Sequence, residues 1–290
     1  MNQSKLSFLS LILALIIAFA TVISPVGAAD NISEDLLILG DSISTGYGLA
    51  EPDTDSYGAK LAEAMDLPEP AYLNLARDGA TSGQLRDALS SPEAAAIISE
   101  FGTIVLSIGG NDILGPFFAL AKQALELEPD APNQELPTAF AQNPNAITKM
   151  ATALFENQAQ FAQIVGDFAD NIAEIIDLIK AAAPKAQIYV QTIYDPFGGV
   201  PGFEMLSAAA GIILSQMNGA IFDGAETGGY IIADIAALFE GAALLYTNIS
   251  DFDIHPNAAG HNLIFEQIYA AMQKEPDEPV VFINLFWYIG

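Results

Sequence analysis

Leu36-Leu37-Ile38-Leu39-Gly40-Asp41-Ser42 is a run of four aliphatic residues closed by a glycine and two polar residues. A short apolar run ended by Gly predicts a strand buried on both faces, as in a parallel sheet. Gly and Pro come early in the segment that follows, residues 43–64, and helix formers come later. Ser42 is therefore expected just past the C-terminal end of a first strand, the edge where open α/β sheets bind ligands. A serine at the start of a helix or turn there meets free backbone N–H groups and the positive helix end. That setting fits a nucleophile whose oxyanion those groups hold, or a plain helix N-cap.

Outward from this stretch the pattern repeats. Residues 71–75, 103–108, 187–193 and 230–235 read as four further strands, with β-branched residues prominent in 103–108. Between them, residues 57–65, 83–89, 92–100 and 205–225 read as helices, with an acidic loop at 51–55. A polar loop, 247–257, carries His255, and Pro256 is expected to open a last helix containing Ile264, Ile268, Ala271 and Met272 on one face. Strands alternating with helices mean an α/β fold: a five-stranded parallel sheet covered on both faces. Every polar cluster follows a strand, so the clusters should meet at one rim. Residues 115–184 form a long helical insertion. Its stretch 127–145 holds four prolines and reads as a loop; 146–183 reads as helix with a break near Gly166. The insertion packs as an apolar helical face, and the loop before it is a candidate substrate lid.

The chain has 290 residues, 52% of them hydrophobic, and no cysteine. That suffices for one large core and removes disulfides, thiol nucleophiles and lipidation on Cys. Lys5, the apolar residues 6–23 and the small residues before Ala28 and Ala29 read as a signal peptide over 1–28, cleaved rather than kept as an anchor. The folded domain is then expected over 29–275, with a tail at 276–290, and the protein is expected to be secreted or periplasmic. Formal net charge is −27; loss of Lys5 with the signal makes it −28. Phosphate and anionic membranes would be repelled, so no nucleic-acid partner is expected, and membrane contact is expected only through the signal segment or a lipid substrate. After Lys274 the chain turns acidic and proline-rich, and its apolar ending Val280 to Gly290 is too short for a helical span.

A serine hydrolase needs a nucleophile, a base, a group that orients the base, and oxyanion donors. Only His255 and His261 offer imidazoles. His255 lies in a loop that can face the rim; His261 lies inside the last helix and reads as a helix-surface or capping residue. Asp253 and Asp251 are both near enough in sequence to orient the ring. The oxyanion donors would be the N–H groups of Ser42 and Gly79 and the side-chain amide of Asn111, with Gly79 allowing close backbone approach. Other chemistries find little support. There is no Gly-x-Ser-x-Gly elbow and no Gly-x-x-x-x-Gly-Lys loop, and a metal site would have to be assembled from two histidines and carboxylates.

Four blocks in order resemble the GDSL-type, or SGNH, hydrolase family. They are Leu39-Gly40-Asp41-Ser42 with Gly46-Tyr47-Gly48-Leu49; Asn74-Leu75-Ala76-Arg77-Asp78-Gly79; Ile108-Gly109-Gly110-Asn111-Asp112; and Asp253-Ile254-His255-Pro256-Asn257 with Gly260-His261. The resemblance implies a flavodoxin-like three-layer α/β/α sandwich. It implies Ser42 as nucleophile, His255 as base, Gly79 and Asn111 as oxyanion donors, and hydrolysis of esters or thioesters without a cofactor. The first block resembles the lysophospholipase and arylesterase branch; the insertion resembles secreted phospholipases and lipases. The family usually spaces its Asp three residues before the His, where this chain has Phe252. Asp-x-His-Pro also occurs in the family, which points to Asp253. Lipid or small-molecule ester hydrolysis is thus expected, with a carbohydrate or cell-wall O-acetyl esterase and a non-catalytic binding module as alternatives.

Overall fold

The structure, a computed structural model, describes residues 35–273. The expected signal peptide and the 276–290 tail lie outside the described residues. Five parallel strands form one sheet in the order β2-β1-β3-β4-β5: β1 Leu36–Gly40, β2 Tyr72–Asn74, β3 Thr103–Ser107, β4 Gln187–Gln191 and β5 Ile231–Ala233. This is the flavodoxin-like order, and the chain reverses direction across the sheet between β1 and β3.

The period-two rule explains both faces of the sheet. Leu37, Leu39, Ile104, Leu106, Ile188 and Val190 point into one core. Leu36, Ile38, Val105 and Tyr189 point into the other. Helices then cover each side. The first core is closed by α4 (Ser82–Leu89), α5 (Pro92–Ile98) and the insertion helices. The second is closed by α3 (Tyr57–Ala64), α11 (Ile235–Phe239) and α13 (Ala258–Met272). Two four-residue helices, α1 (Ser42–Thr45) and α2 (Pro52–Asp55), lie between β1 and α3, so the acidic stretch at 51–55 is a helical turn rather than a plain loop. Proline in a first turn gives up an N–H that has no partner there anyway.

The insertion departs from the expected pattern in two places. After α6 (Gly110–Ala124), the proline-rich stretch holds a 3₁₀ turn and α7 (Leu136–Gln142). Pro137 fits in the first turn of α7, and Leu136 is drawn into the core. The long helix breaks at Asn157, not at Gly166, giving α8 (Ala146–Glu156) and α9 (Gln158–Ala182). The Asn157 side chain donates to the Ala153 carbonyl at 2.8 Å, satisfying a helix-end acceptor. Gly166 sits inside α9, where its missing side chain is tolerated. Past β4, α10 (Glu204–Gly228) packs along α9, and α12 (Ala243–Tyr246) precedes the histidine loop. Pro256 does not open α13. Asn257 caps it, its Oδ1 accepting from the Gly260 N–H at 3.0 Å, and Pro256 lies one residue outside.

Candidate active site

Gly40 ends β1 because nothing larger fits. A Cβ there would lie 2.1 Å from the Ser107 carbonyl oxygen, and φ is +145°. The chain then turns into α1. Asp41 is the N-cap, its Oδ1 accepting from the Ile43 N–H at 3.0 Å, so Ser42 is the first helical residue rather than the cap. That position leaves the Ser42 N–H without an acceptor inside the helix. Ser42 therefore sits at the carboxyl edge of the sheet, at the switch point between β1 and β3.

The loop after α12 reaches the same spot from the other end of the chain. Residues 249–251 make one 3₁₀ turn, which Phe252 ends in the left-handed region at φ 58°. This turn aims Asp253, rather than Asp251, at the imidazole. His255 Nδ1 lies 2.5 Å from Asp253 Oδ1, and the same oxygen accepts the His255 backbone N–H at 3.0 Å. His255 Nε2 lies 2.8 Å from Ser42 Oγ. An Nδ1–H donated to the carboxylate leaves Nε2 as the acceptor facing the hydroxyl. The Tyr194 hydroxyl donates to the Ile254 carbonyl at 2.7 Å, and the Tyr47 ring stands 4.5 Å from the imidazole. Gly48 leaves room for this loop, since a Cβ there would come within 3.2 Å of Asp253 Oδ2.

Gly79 and Asn111 arrive on the loops after β2 and β3. The Thr45 hydroxyl donates to Asp78 Oδ1 at 2.6 Å, and Asn74 Nδ2 donates to the Ser44 carbonyl at 2.8 Å, tying the Gly79 loop to α1. Asn111 Nδ2 donates to the Ala80 carbonyl at 3.0 Å, leaving its second amide hydrogen uncommitted. Gly79 has φ +73°, in the left-handed region that favours glycine, and a Cβ there would meet no protein atom within 4 Å. Behind Asn111 is a brace whose motif residues carried no assigned role. Asp112 accepts from the Ser82 hydroxyl at 2.5 Å and the Ser82 N–H at 2.9 Å; Asn171 Nδ2 donates to Ser82 Oγ at 2.9 Å; Arg86 Nη1 donates to Asn171 Oδ1 at 2.5 Å. Ser82 and Asn171 are 89 residues apart, which no local pattern reveals.

Burial reshapes the acids beside the nucleophile. Asp41 is 2% exposed and is pushed up to about 7, chiefly by burial, with the charges of Asp112 and Asp78 adding. Burial also raises Asp112. His261 is fully buried in α13, not on its surface, and burial pushes it down to about 4. Beside Ser42, Asn111 and His255 opens a cleft of about 770 Å³, its mouth included. Its remaining wall is almost wholly carbon, from α6, α8, α9, α10 and the loop after β4. Among the described residues no group of three or more His, Asp or Glu side chains is placed to hold a metal.

The GDSL-like lipase/acylhydrolase family model matches residues 38–263, which includes all four sequence blocks. The fold is similar to that of phospholipase A1 from Streptomyces albidoflavus, at TM-score 0.56 and 21% identity, covering 82% of this chain and 99% of that one. It is likewise similar to an extracellular lipase from Streptomyces rimosus, at TM-score 0.55 and 20% identity over 82% and 99% of the two chains. A lipase from a goat rumen metagenome superposes at TM-score 0.55 and 19% identity, over 81% and 96%. At such identities these likenesses show the shared fold. No curated protein matches the chain at a significant level.

Proposed function

Because the chain belongs to the GDSL-like lipase/acylhydrolase family, we propose that it hydrolyses carboxylic esters through an acyl-enzyme on Ser42. The observation that carries this reading is the line of bonds from Asp253 through His255 to Ser42 Oγ, at 2.5 and 2.8 Å. A serine, an imidazole and a carboxylate in that order have the geometry of an activated nucleophile.

The proton inventory closes. His255 Nε2 takes the Ser42 proton as Oγ attacks the ester carbonyl. Asp253 holds the ring in the Nδ1–H tautomer and stabilises the imidazolium that forms. The developing oxyanion is held by the Ser42 and Gly79 N–H groups and the free Asn111 amide hydrogen, each worth about 2.7–4 kcal/mol in the transition state. The imidazolium then gives its proton to the leaving alkoxide. Water, losing a proton to Nε2, attacks the acyl-enzyme, and the imidazolium returns that proton to Ser42 Oγ as the acyl–oxygen bond breaks. The apolar wall beside the reacting atoms excludes bulk water from part of the path, which strengthens each of these interactions.

With a signal peptide over residues 1–28, the enzyme works outside the cytoplasm, secreted or periplasmic. The mass of the exported protein tests that part, with cleavage near Ala28 or Ala29 expected. Hydrolysis of nitrophenyl esters tests the chemistry. Ser42→Ala should lower kcat on the order of 10⁴-fold or more with the fold intact. A Ser42→Ala protein as active as the parent contradicts the assignment.

A further inference from the structure

The cleft beside Ser42 has a polar end and a long apolar remainder. Ser42, Asn111 and His255 form the first; the insertion builds much of the second. Phe117 from α6, Leu154 from α8 and Phe161 from α9 line it, facing Ala210 and Ile213 from α10. Leu154 and Phe161 are each only 2% exposed, so they close the cleft against the core. Phe117 stacks on Phe197 at 5.8 Å to make an aromatic wall, and Phe203, outside the lining, stacks on Phe197 at 5.9 Å. Bonds within the protein fix the position of Phe197: Asp195 accepts from the Phe197 N–H at 2.9 Å and from the Ser207 hydroxyl at 2.5 Å. The 127–145 stretch contributes no lining residue; the insertion helices themselves do.

We propose that the insertion makes this site selective for an unbranched aliphatic acyl group much longer than acetyl, seated between α6, α8, α9 and α10 and stopped by Leu154 and Phe161. The proposal rests on the reading of Ser42 as nucleophile and names the substrate class of that same site. An acetyl group would leave the apolar remainder facing trapped water. Each added methylene removes more carbon surface from water, so kcat/KM should rise about fourfold per methylene until the chain meets the end wall. Ala210 is half-buried and presents one methyl to this wall, beside the larger Ile213 and Leu214 of the same helix.

The test is a chain-length series of nitrophenyl esters, from acetate through octanoate to palmitate, on the whole protein and on Ala210→Trp. The parent should favour octanoate over acetate, and the octanoate-to-acetate ratio of kcat/KM should fall at least about tenfold in Ala210→Trp. Phe161→Leu should move the optimum to longer chains. Should Ala210→Trp fail to fold, Ala210→Leu in the same series and Phe161→Leu carry the test. A parent that prefers acetate, or ratios unchanged in the Ala210 variants, overturns the pocket assignment. Labelling separates this from the underlying chemistry. Alkyl fluorophosphonates of increasing length should all react at Ser42, faster as the chain grows. Reaction without a length trend overturns only the pocket, whereas no reaction at any length overturns the nucleophile with it.

Discussion

Two histidines six residues apart do opposite things in this molecule. His255 sits in a loop at the sheet edge with both ring nitrogens bonded to side chains, Asp253 on one and Ser42 on the other. His261 sits inside α13 with no exposure. Its Nδ1 accepts the Tyr57 N–H at 3.3 Å, so its proton is on Nε2, which has no partner among the described residues. The two are still connected. The Tyr57 hydroxyl is 2.7 Å from Ser44 Oγ in the helix that begins with Ser42. His255 meets Ser42 of α1 directly, and His261 reaches α1 only through Tyr57. The difference shows that residue type and sequence block do not fix a role; solvent access and bonding partners do.

The largest expected effect separates the pair. His255→Ala should lower kcat on the order of 10⁴-fold or more while leaving the melting temperature nearly unchanged. His261→Ala should do the reverse: lose about 2–4 kcal/mol of stability, read by urea unfolding, and keep its kcat in the folded protein. Next comes the partner of His255. Asp253→Asn should lower kcat about 10⁴-fold through the wrong tautomer, whereas Asp251→Asn should be silent. If the two swap, the turn at Phe252 aims the wrong carboxylate. Asn111→Ala should cost about 10²- to 10³-fold in kcat with KM little changed.

The smallest effect is in pH dependence, where His261 and Asp41 pull against each other. His261 is held near 4 when folded against an ordinary 6.5, so the unfolded chain takes up the proton first. Its stabilisation is complete above about pH 6.5 and is lost as pH falls toward 4. Asp41 is raised to about 7 from 3.8, so the fold favours its neutral form. Its contribution is present below about pH 4 and is lost as pH rises toward 7, and the raised Asp112 leans the same way. Asp41→Asn keeps a capping side chain and removes the titration. Its stability advantage over the parent should therefore grow with pH between 4 and 7, to a few kcal/mol, in urea midpoints measured across that range. An advantage that shrinks with rising pH has the wrong sign.

How much was legible follows the same division. Strands and the turns after them are read from local composition, so β1, β3 and β4 fall where aliphatic runs end in Gly or polar residues, and Ser42, Gly79, Asn111 and His255 fall at one rim. What stayed hidden depends on contacts across the fold. Helical spacing puts Phe161 and Phe168 on one apolar face of 146–183, yet both gain their meaning from what they meet: the cleft for Phe161, the Gly109 turn after β3 for Phe168. The helix break went to Asn157 because a side chain there satisfies a carbonyl, a stronger local device than the weak propensity of Gly166. His261 reads from sequence as a helix-surface or capping residue because a polar residue in an amphipathic helix usually is one. The Tyr57 N–H that keeps it inside is 204 residues away.

The central claim is that His255 activates Ser42, and fluorophosphonate labelling read by peptide mass tests it most directly. One adduct per chain, on Ser42, formed quickly in the parent and very slowly in His255→Ala, is the predicted result. An adduct on another residue, or equal labelling rates with and without the imidazole, would contradict it.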